Sequence, residues 1–134
     1  MSKKESNTVD LLNDSTVAEI FEMMNERPIA YHRFYLHFGL DPAGGLFLSQ
    51  ACYWSKNKNS IDRGGWFYKT MEEWQEEIGI GRRPQESARK KLRELGILEE
   101  KKQGVPAKLF FRVNHKRLRE LTIEIARNRL KNKA

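Results

Sequence analysis

The chain of 134 residues contains one cysteine, and this scarcity excludes several classes of protein. A single thiol forms no intramolecular disulfide, so we expect a domain of the reducing cytoplasm and not a disulfide-stabilised secreted fold. With a single cysteine, the usual zinc site of several cysteine and histidine ligands cannot be assembled. His32 and His37 are five residues apart, which on a helix separates them by about 140°. We therefore predict no metal site and no cofactor.

Long hydrophobic runs are also missing from the sequence. No stretch of 18 apolar residues occurs, so the sequence predicts no transmembrane helix and no membrane partner. The N-terminal segment lacks the apolar stretch and the small-residue cleavage site of a signal peptide. Residues 1–13 are polar and without periodicity, and we predict that they form a flexible tail.

The sequence contains no recognisable set of catalytic residues. The pairs Gly44-Gly45 and Gly64-Gly65 are not followed by Lys-Ser or Lys-Thr, so no phosphate-binding loop is present. The paired glutamates within residues 72–77 are consecutive helical residues, whose side chains point apart. Cys52 lies among aromatic residues and is interpreted as a small core residue. We therefore predict that the protein is not an enzyme.

Positive charge, in contrast, is abundant and concentrated in the second part of the chain. Residues 1–80 hold 8 Lys and Arg against 12 Asp and Glu, whereas residues 81–134 hold 17 against 6. The net charge of the whole chain is +7. Such asymmetry is typical of a protein with one surface that meets a polyanion. The alternative is a basic surface that is only solvated, and the arrangement of the charges has to decide between the two.

Helix caps and hydrophobic spacing predict a mostly α-helical chain with a small antiparallel sheet, an α+β fold. Thr70 and Glu73 have the spacing of a capping box, and Asp41-Pro42 is a typical helix start. Glycines after the apolar stretches predict helix ends. The predicted helices span about residues 16–26, 28–38, 42–56, 71–78, 82–95 and 115–131. Residues 57–65 are predicted as a polar loop, 66–69 as a strand and 97–113 as a hairpin.

Aromatic side chains cluster in and around the predicted first strand. Trp54, Trp66, Phe67 and Trp74 have the flat faces on which single-stranded bases stack. Their helical and strand spacing favours core packing, and we interpret them as core residues. In the second arm of the hairpin, alternation predicts that Leu109, Phe111 and Val113 face the core.

The predicted helix 82–95 has an apolar face and a charged face. Ala88, Leu92 and Leu95 form the apolar stripe, with Gln85 at its edge. On the opposite face, at 100° per residue, lie Arg82, Arg83, Glu86, Lys90 and Arg93, with Arg89 on the flank. Such a helix fits the major groove of DNA, where arginine binds guanine bidentately and lysine contacts phosphates. The alternative is an exposed helix with ordinary ion pairs, such as one between Lys90 and Glu94.

Three lysines surround the turn of the predicted hairpin. Lys101, Lys102 and Lys108 flank Gly104-Val105-Pro106, and we expect these cations to lie beside helix 82–95. A loop of this kind reaches neighbouring phosphates or the minor groove. Lysines also prevent an edge strand from pairing with other chains, and both roles are compatible.

The order of strand, helix, tight turn, helix and hairpin is that of a winged helix-turn-helix. The marks are the turn GIGRR, the helix end KKLRELGIL and the turn GVP followed by FFRV. With the upstream segment PIAYHRFYLHFG, this region resembles winged-helix domains of phage- and plasmid-encoded replication or regulatory proteins. The resemblance covers about residues 28–118. Together with the predicted helices, this gives a winged-helix domain with a helical N-terminal lead-in over 14–114, followed by a C-terminal amphipathic helix and basic tail over 115–134.

The resemblance implies sequence-specific binding of double-stranded DNA in replication initiation or transcriptional regulation. For this contact the resemblance implies the cations Arg82, Arg83, Arg89, Lys90 and Arg93. We predict that Gln85, Glu86, Lys101, Lys102 and Lys108 belong to the same DNA-binding site. Glu86 departs from the cationic pattern and either repels phosphate or accepts a cytosine amino group.

A protein–protein adaptor without direct DNA reading is the alternative function. The stripe of Leu118, Leu121 and Ile125 on helix 115–131 gives it a binding surface. A homodimer through the N- or C-terminal helix, or a replication or transcription protein as partner, also fits the sequence. The same apolar stripes equally suit intramolecular packing on the core.

Overall fold

The computed structural model describes residues 17–20, 22 and 29–133. Residues 17–20 and 22 are helical, as predicted for the helix over 16–26. The rest of that helix, its capping residue Thr16 and the tail predicted over 1–13 lie outside the described residues.

Between residues 29 and 133 the chain forms helices around a three-stranded antiparallel sheet, so the predicted α+β class is confirmed. The elements are, in chain order, a 3-10 helix Arg33–Phe38, α1 Pro42–Ser55, α2 Lys58–Ile61, β1 Phe67–Tyr68, α3 Met71–Ile78, α4 Arg82–Glu94, β2 Leu98–Gln103, β3 Lys108–Val113 and α5 His115–Lys133. Local caps explain several of these boundaries. Asp41 accepts a hydrogen bond from the Gly44 amide at the start of α1, and Thr70 forms the predicted capping box with Glu73.

Two segments before β1 differ from the prediction. The helix predicted over 28–38 is a 3-10 helix that begins only at Arg33, because the ring of Tyr31 packs closely against Gly45 of α1 and residues 29–32 are not helical. The segment is rich in aromatic residues, which are poor helix formers. The predicted loop 57–65 contains the short helix α2, whose first turn is capped by Asn57.

The sheet has the strand order β1-β3-β2, with both pairs antiparallel. Phe111 and Val113 of β3 are buried, as predicted, and Leu109 of the same face is half-buried. Successive residues of a strand point to opposite faces. The other face of β3 therefore carries Phe110 and Arg112, with Lys108 at its end.

The core lies between one face of the sheet and the helices α1, α3 and α4. Phe47 stacks on Trp74 with ring centroids 4.2 Å apart, and Phe67 and Phe111 surround this pair. Phe47, Trp74 and Leu92 are almost completely buried. This aromatic packing fixes α1 and α3 against the sheet.

The interpretation of the four aromatic residues as core is correct for Phe67 and Trp74 and wrong for Trp66. Phe67 and Trp74 are buried, and Trp54 is half-buried. Trp66 is half-exposed and lies on the side of the sheet that faces away from the helices, next to Lys101 and Arg112. The reason is the strand alternation itself, since Phe67 takes the inner position and its neighbours take the outer one.

Cys52 lies on α1, partly buried beside Tyr35. Burial raises the pKa of the Cys52 thiol to about 11, so it stays protonated near neutral pH. Across residues 17–20, 22 and 29–133, no helix has the length and apolar character needed to cross a membrane.

Candidate nucleic-acid interface

A tight turn joins α3 to α4 and holds the two helices next to each other. Gly79 ends α3 with a φ of 70°, a conformation that favours glycine. The Gln85 side-chain amide donates to the carbonyl oxygens of Met71, at 3.1 Å, and Ile80, at 2.7 Å. These bonds connect α4 to the start of α3 and to the turn.

The expectation that Gln85 contacts DNA is therefore wrong. Its side chain is 1% exposed and its amide group is used inside the protein. A buried amide needs hydrogen-bond partners, and the nearest available acceptors are the carbonyls of the turn. Gln85 is a structural residue of the α3–α4 pair.

The solvent face of α4 carries the predicted charged residues. Arg82, Arg83, Glu86, Lys90 and Arg93 are all exposed. On the opposite side Ala88 and Leu92 are buried, and Leu95, just after the helix, is half-buried. The amphipathic pattern of the sequence therefore predicts correctly which face of α4 is buried and which is exposed.

Not every charge on this face is available to a ligand. Arg82 pairs with Glu86 at 3.0 Å, but both side chains are well exposed and such pairs are weak. Arg83 and Lys90 form no salt bridge with any residue that the structure describes, and the Lys90–Glu94 pair of the alternative interpretation is not formed. Arg82, Arg83 and Lys90 are thus the cations most open to solvent anions.

Arg89 and Arg93 are engaged by one carboxylate of β2. Glu100 accepts two hydrogen bonds from Arg89, at 2.8 and 2.9 Å, and one from Arg93 at 2.9 Å. Burial by itself would raise the pKa of Glu100, but the hydrogen bonds and charges of the two arginines outweigh it and lower that pKa. The side chains of Arg89 and Arg93 are 17% and 44% exposed, so Arg93 is the more open of the two to solvent.

The three lysines of the hairpin do not share one face. Lys102 lies two residues after Glu100, on the side of β2 that faces α4. Lys101 pairs across the sheet with Phe110 and places its Nζ 4.2 Å from the centroid of the Trp66 ring. Lys108 places its Nζ 5.0 Å from the centroid of the Tyr68 ring. The expectation that all three lie beside α4 therefore holds for Lys102 only.

The outer face of the sheet is a functional candidate that the sequence analysis missed. Its members are Trp66, Tyr68, Lys101, Lys108, Phe110 and Arg112. The signal was present, since aromatic and basic residues alternate with buried ones in β1 and β3. Interpreting Trp66 as a core residue concealed it.

Comparisons of the chain with protein-family models, with curated proteins and with solved structures find no match. Among the residues described, no group of three or more His, Cys, Asp or Glu side chains is placed to hold a metal ion. The chemistry that the site offers is that of exposed guanidinium and ammonium groups, which bind phosphates and the edges of bases.

Proposed function

We propose that this chain contains a winged helix-turn-helix domain that binds double-stranded DNA in a sequence-specific manner through α4. The order α1, β1, α3, α4, β2, β3 and the strand order β1-β3-β2 support this proposal. The short turn between α3 and α4 and the hairpin that follows α4 agree with it. In this arrangement α4 is the recognition helix and β2–β3 is the wing.

The observation that carries the proposal is the exposed cationic edge of α4. From Arg82 to Arg93 the helix advances by about 16 Å, and the major groove of B-DNA is wide enough to admit such a helix. Arg82 and Arg83 stand in the first turn, where Gly81 provides no side-chain cap for the free backbone amides. Phosphates and guanine edges are suitable partners for that end of the helix.

The other charged residues take different roles in this proposal. Lys90 and Lys102 contact phosphates on the α4 side of the hairpin, and Arg93 adds a donor next to them. Arg89 positions α4 against β2 through Glu100. Glu86 holds Arg82 until a base or phosphate replaces it.

The biological setting is inferred from the family resemblance. We place the protein in replication initiation or transcriptional regulation of a phage or plasmid, as a DNA-binding protein without catalysis. A homodimer would present two copies of α4 to half-sites one helical turn apart.

Selection of bound sequences from a random duplex pool at physiological salt tests the proposal. Arg82→Ala with Arg83→Ala should relax the selected sequence, since each bidentate arginine contributes about 1–3 kcal/mol of discrimination. Lys90→Ala should weaken all duplexes alike and reduce the slope of the log–log salt plot by about 0.9. Lys58→Ala removes the same charge from exposed α2 and is the control. Equal effects of all three changes would exclude α4 as the interface.

A second function, contact with a protein or with a second copy through α5, has one observation in its favour. Ile123 and Leu130 are seven residues apart, on one side of the helix, and are 43% and 69% exposed. The stripe first considered for this role is turned inward, with Leu121 buried and Leu118 and Ile125 packed against the core. Replacing Ile123 and Leu130 by serine should then reduce self-association in sedimentation while leaving the fold intact.

A further inference from the structure

The outer sheet face combines three partly exposed aromatic rings on one surface. Tyr68 of β1 and Phe110 of β3 are cross-strand neighbours, with ring centroids 5.7 Å apart. Trp66 precedes them on the same face. Tyr68 is 38% exposed, although aromatic rings are normally buried where packing permits. Flat rings presented to solvent along a sheet are suited to stacking.

Cations surround these rings. Lys101 and Arg112 lie 4.2 and 4.5 Å from the centroid of Trp66, and Lys108 lies 5.0 Å from that of Tyr68. Of these three cations, Arg112 is paired with a carboxylate, that of Glu99. An aromatic ring carries no net charge, so the lysines keep their full charge towards an anionic partner.

A groove of about 600 Å³ opens between this face and the tip of the hairpin. Trp66, Phe110, Lys101 and Lys108 line it, and Arg63 adds a further cation from the turn after α2. The lining of the groove therefore combines two aromatic rings with three cations. This combination is complementary to a ligand that is flat and apolar in one part and negatively charged in another.

We propose that the outer sheet face binds single-stranded nucleic acid, independently of the duplex surface on α4. Unpaired bases stack on Trp66 and on the Tyr68–Phe110 pair, and the phosphates contact Lys101, Lys108 and Arg63. A duplex does not fit this surface, because its bases are already stacked on one another. Lys101 gives up its contact with the Trp66 ring when a base arrives, since an exposed cation–π contact is weaker than base stacking.

Quenching of tryptophan fluorescence by an oligothymidylate and an oligouridylate of about 12 nucleotides tests the stacking, because this length matches the site of a small single-strand-binding fold. Trp66→Ala should weaken binding about tenfold or more. Trp66→Phe keeps a stacking ring, so it should retain most of the affinity and lose most of the quenching. Tyr53→Ala removes an aromatic side chain that is 46% exposed on α1 and should change nothing. Binding of either oligonucleotide supports the proposal. A preference for one of them shows whether the ligand is single-stranded DNA or RNA.

Substitution of two neighbouring lysines of β2 distinguishes single-strand binding at this face from duplex binding at α4. Lys101→Ala should weaken single-strand binding and reduce its salt slope by about 0.7, while the affinity for duplex stays unchanged. Lys102→Ala, on the opposite face, should leave single-strand binding as it is. The two variants differ by one position and remove the same charge.

The proposal is overturned if neither oligonucleotide quenches the fluorescence, or if Trp66→Phe loses as much affinity as Trp66→Ala. It is also overturned if Lys101→Ala and Lys102→Ala weaken single-strand binding equally, which would indicate a general electrostatic attraction. A failure of duplex binding alone leaves the single-strand measurements valid, so the two sites are judged separately.

Discussion

On the two cationic surfaces, the α4 face and the outer sheet face, the positively charged side chains contact different kinds of group. On α4, carboxylates engage Arg82, Arg89 and Arg93, and Glu100 binds the last two of these. On the sheet, Lys101 and Lys108 contact aromatic rings, and Arg112 pairs with Glu99. A carboxylate cancels the charge of its partner, whereas a ring only orients it. The number of positive residues on a surface is therefore a poor measure of the charge it presents.

The largest effect that separates the two surfaces is expected from Glu100→Ala. This change leaves the Arg89 guanidinium, 17% exposed, without its carboxylate and should lower the free energy of unfolding by about 2–4 kcal/mol. Urea unfolding followed by circular dichroism measures it. The neighbouring Glu99→Ala breaks the more exposed pair with Arg112 and should cost less than about 1 kcal/mol. Equal losses in both variants would show that Arg89 does not depend on Glu100.

A smaller effect is expected in the pH dependence of the free energy of unfolding, where the native protein is compared with Glu100→Gln. The folded-state pKa of Glu100 lies below its unfolded value, so its contribution is complete above the unfolded pKa and is lost as pH falls through the folded pKa. Stability of the native protein should therefore fall more steeply below about pH 4.5 than that of Glu100→Gln. Parallel curves for the two proteins in urea unfolding between pH 3 and pH 6 would contradict this expectation.

The smallest effect is expected on the sheet. Lys101→Ala removes an exposed cation from above a ring, and such contacts contribute about 0.5–1 kcal/mol. The change in the unfolding midpoint should be correspondingly small. A loss as large as that of Glu100→Ala would mean that Lys101 stabilises the hairpin, and the contrast between the two surfaces would disappear.

Features that depend on residues close in sequence were predictable. The Thr70–Glu73 capping box, the glycine that ends α3 and the two faces of α4 all follow from neighbours within a few positions. Caps and helical periodicity are local properties of the chain, and they needed no knowledge of the fold.

Features that depend on pairing between distant segments were not predictable in this way. Helical spacing places Arg89 on the flank of α4, but only the position of β2 brings Glu100 to it. The same holds for Lys69, which is buried beside Glu77 and between the rings of Trp54 and Trp74. Trp66 is a different case, because strand alternation, which is a local property, already places it on the face opposite Phe67.

The hydrogen bonds of the buried Gln85 amide hold α4 in place independently of the residues on its exposed face. Since the anchoring bonds end on main-chain carbonyls, they make no demand on the identity of the outward residues. Positions 82, 83, 86 and 90 can consequently diversify while the helix keeps its pose. A library randomised at those four sites would be a practical starting point for retargeting this scaffold to new ligands.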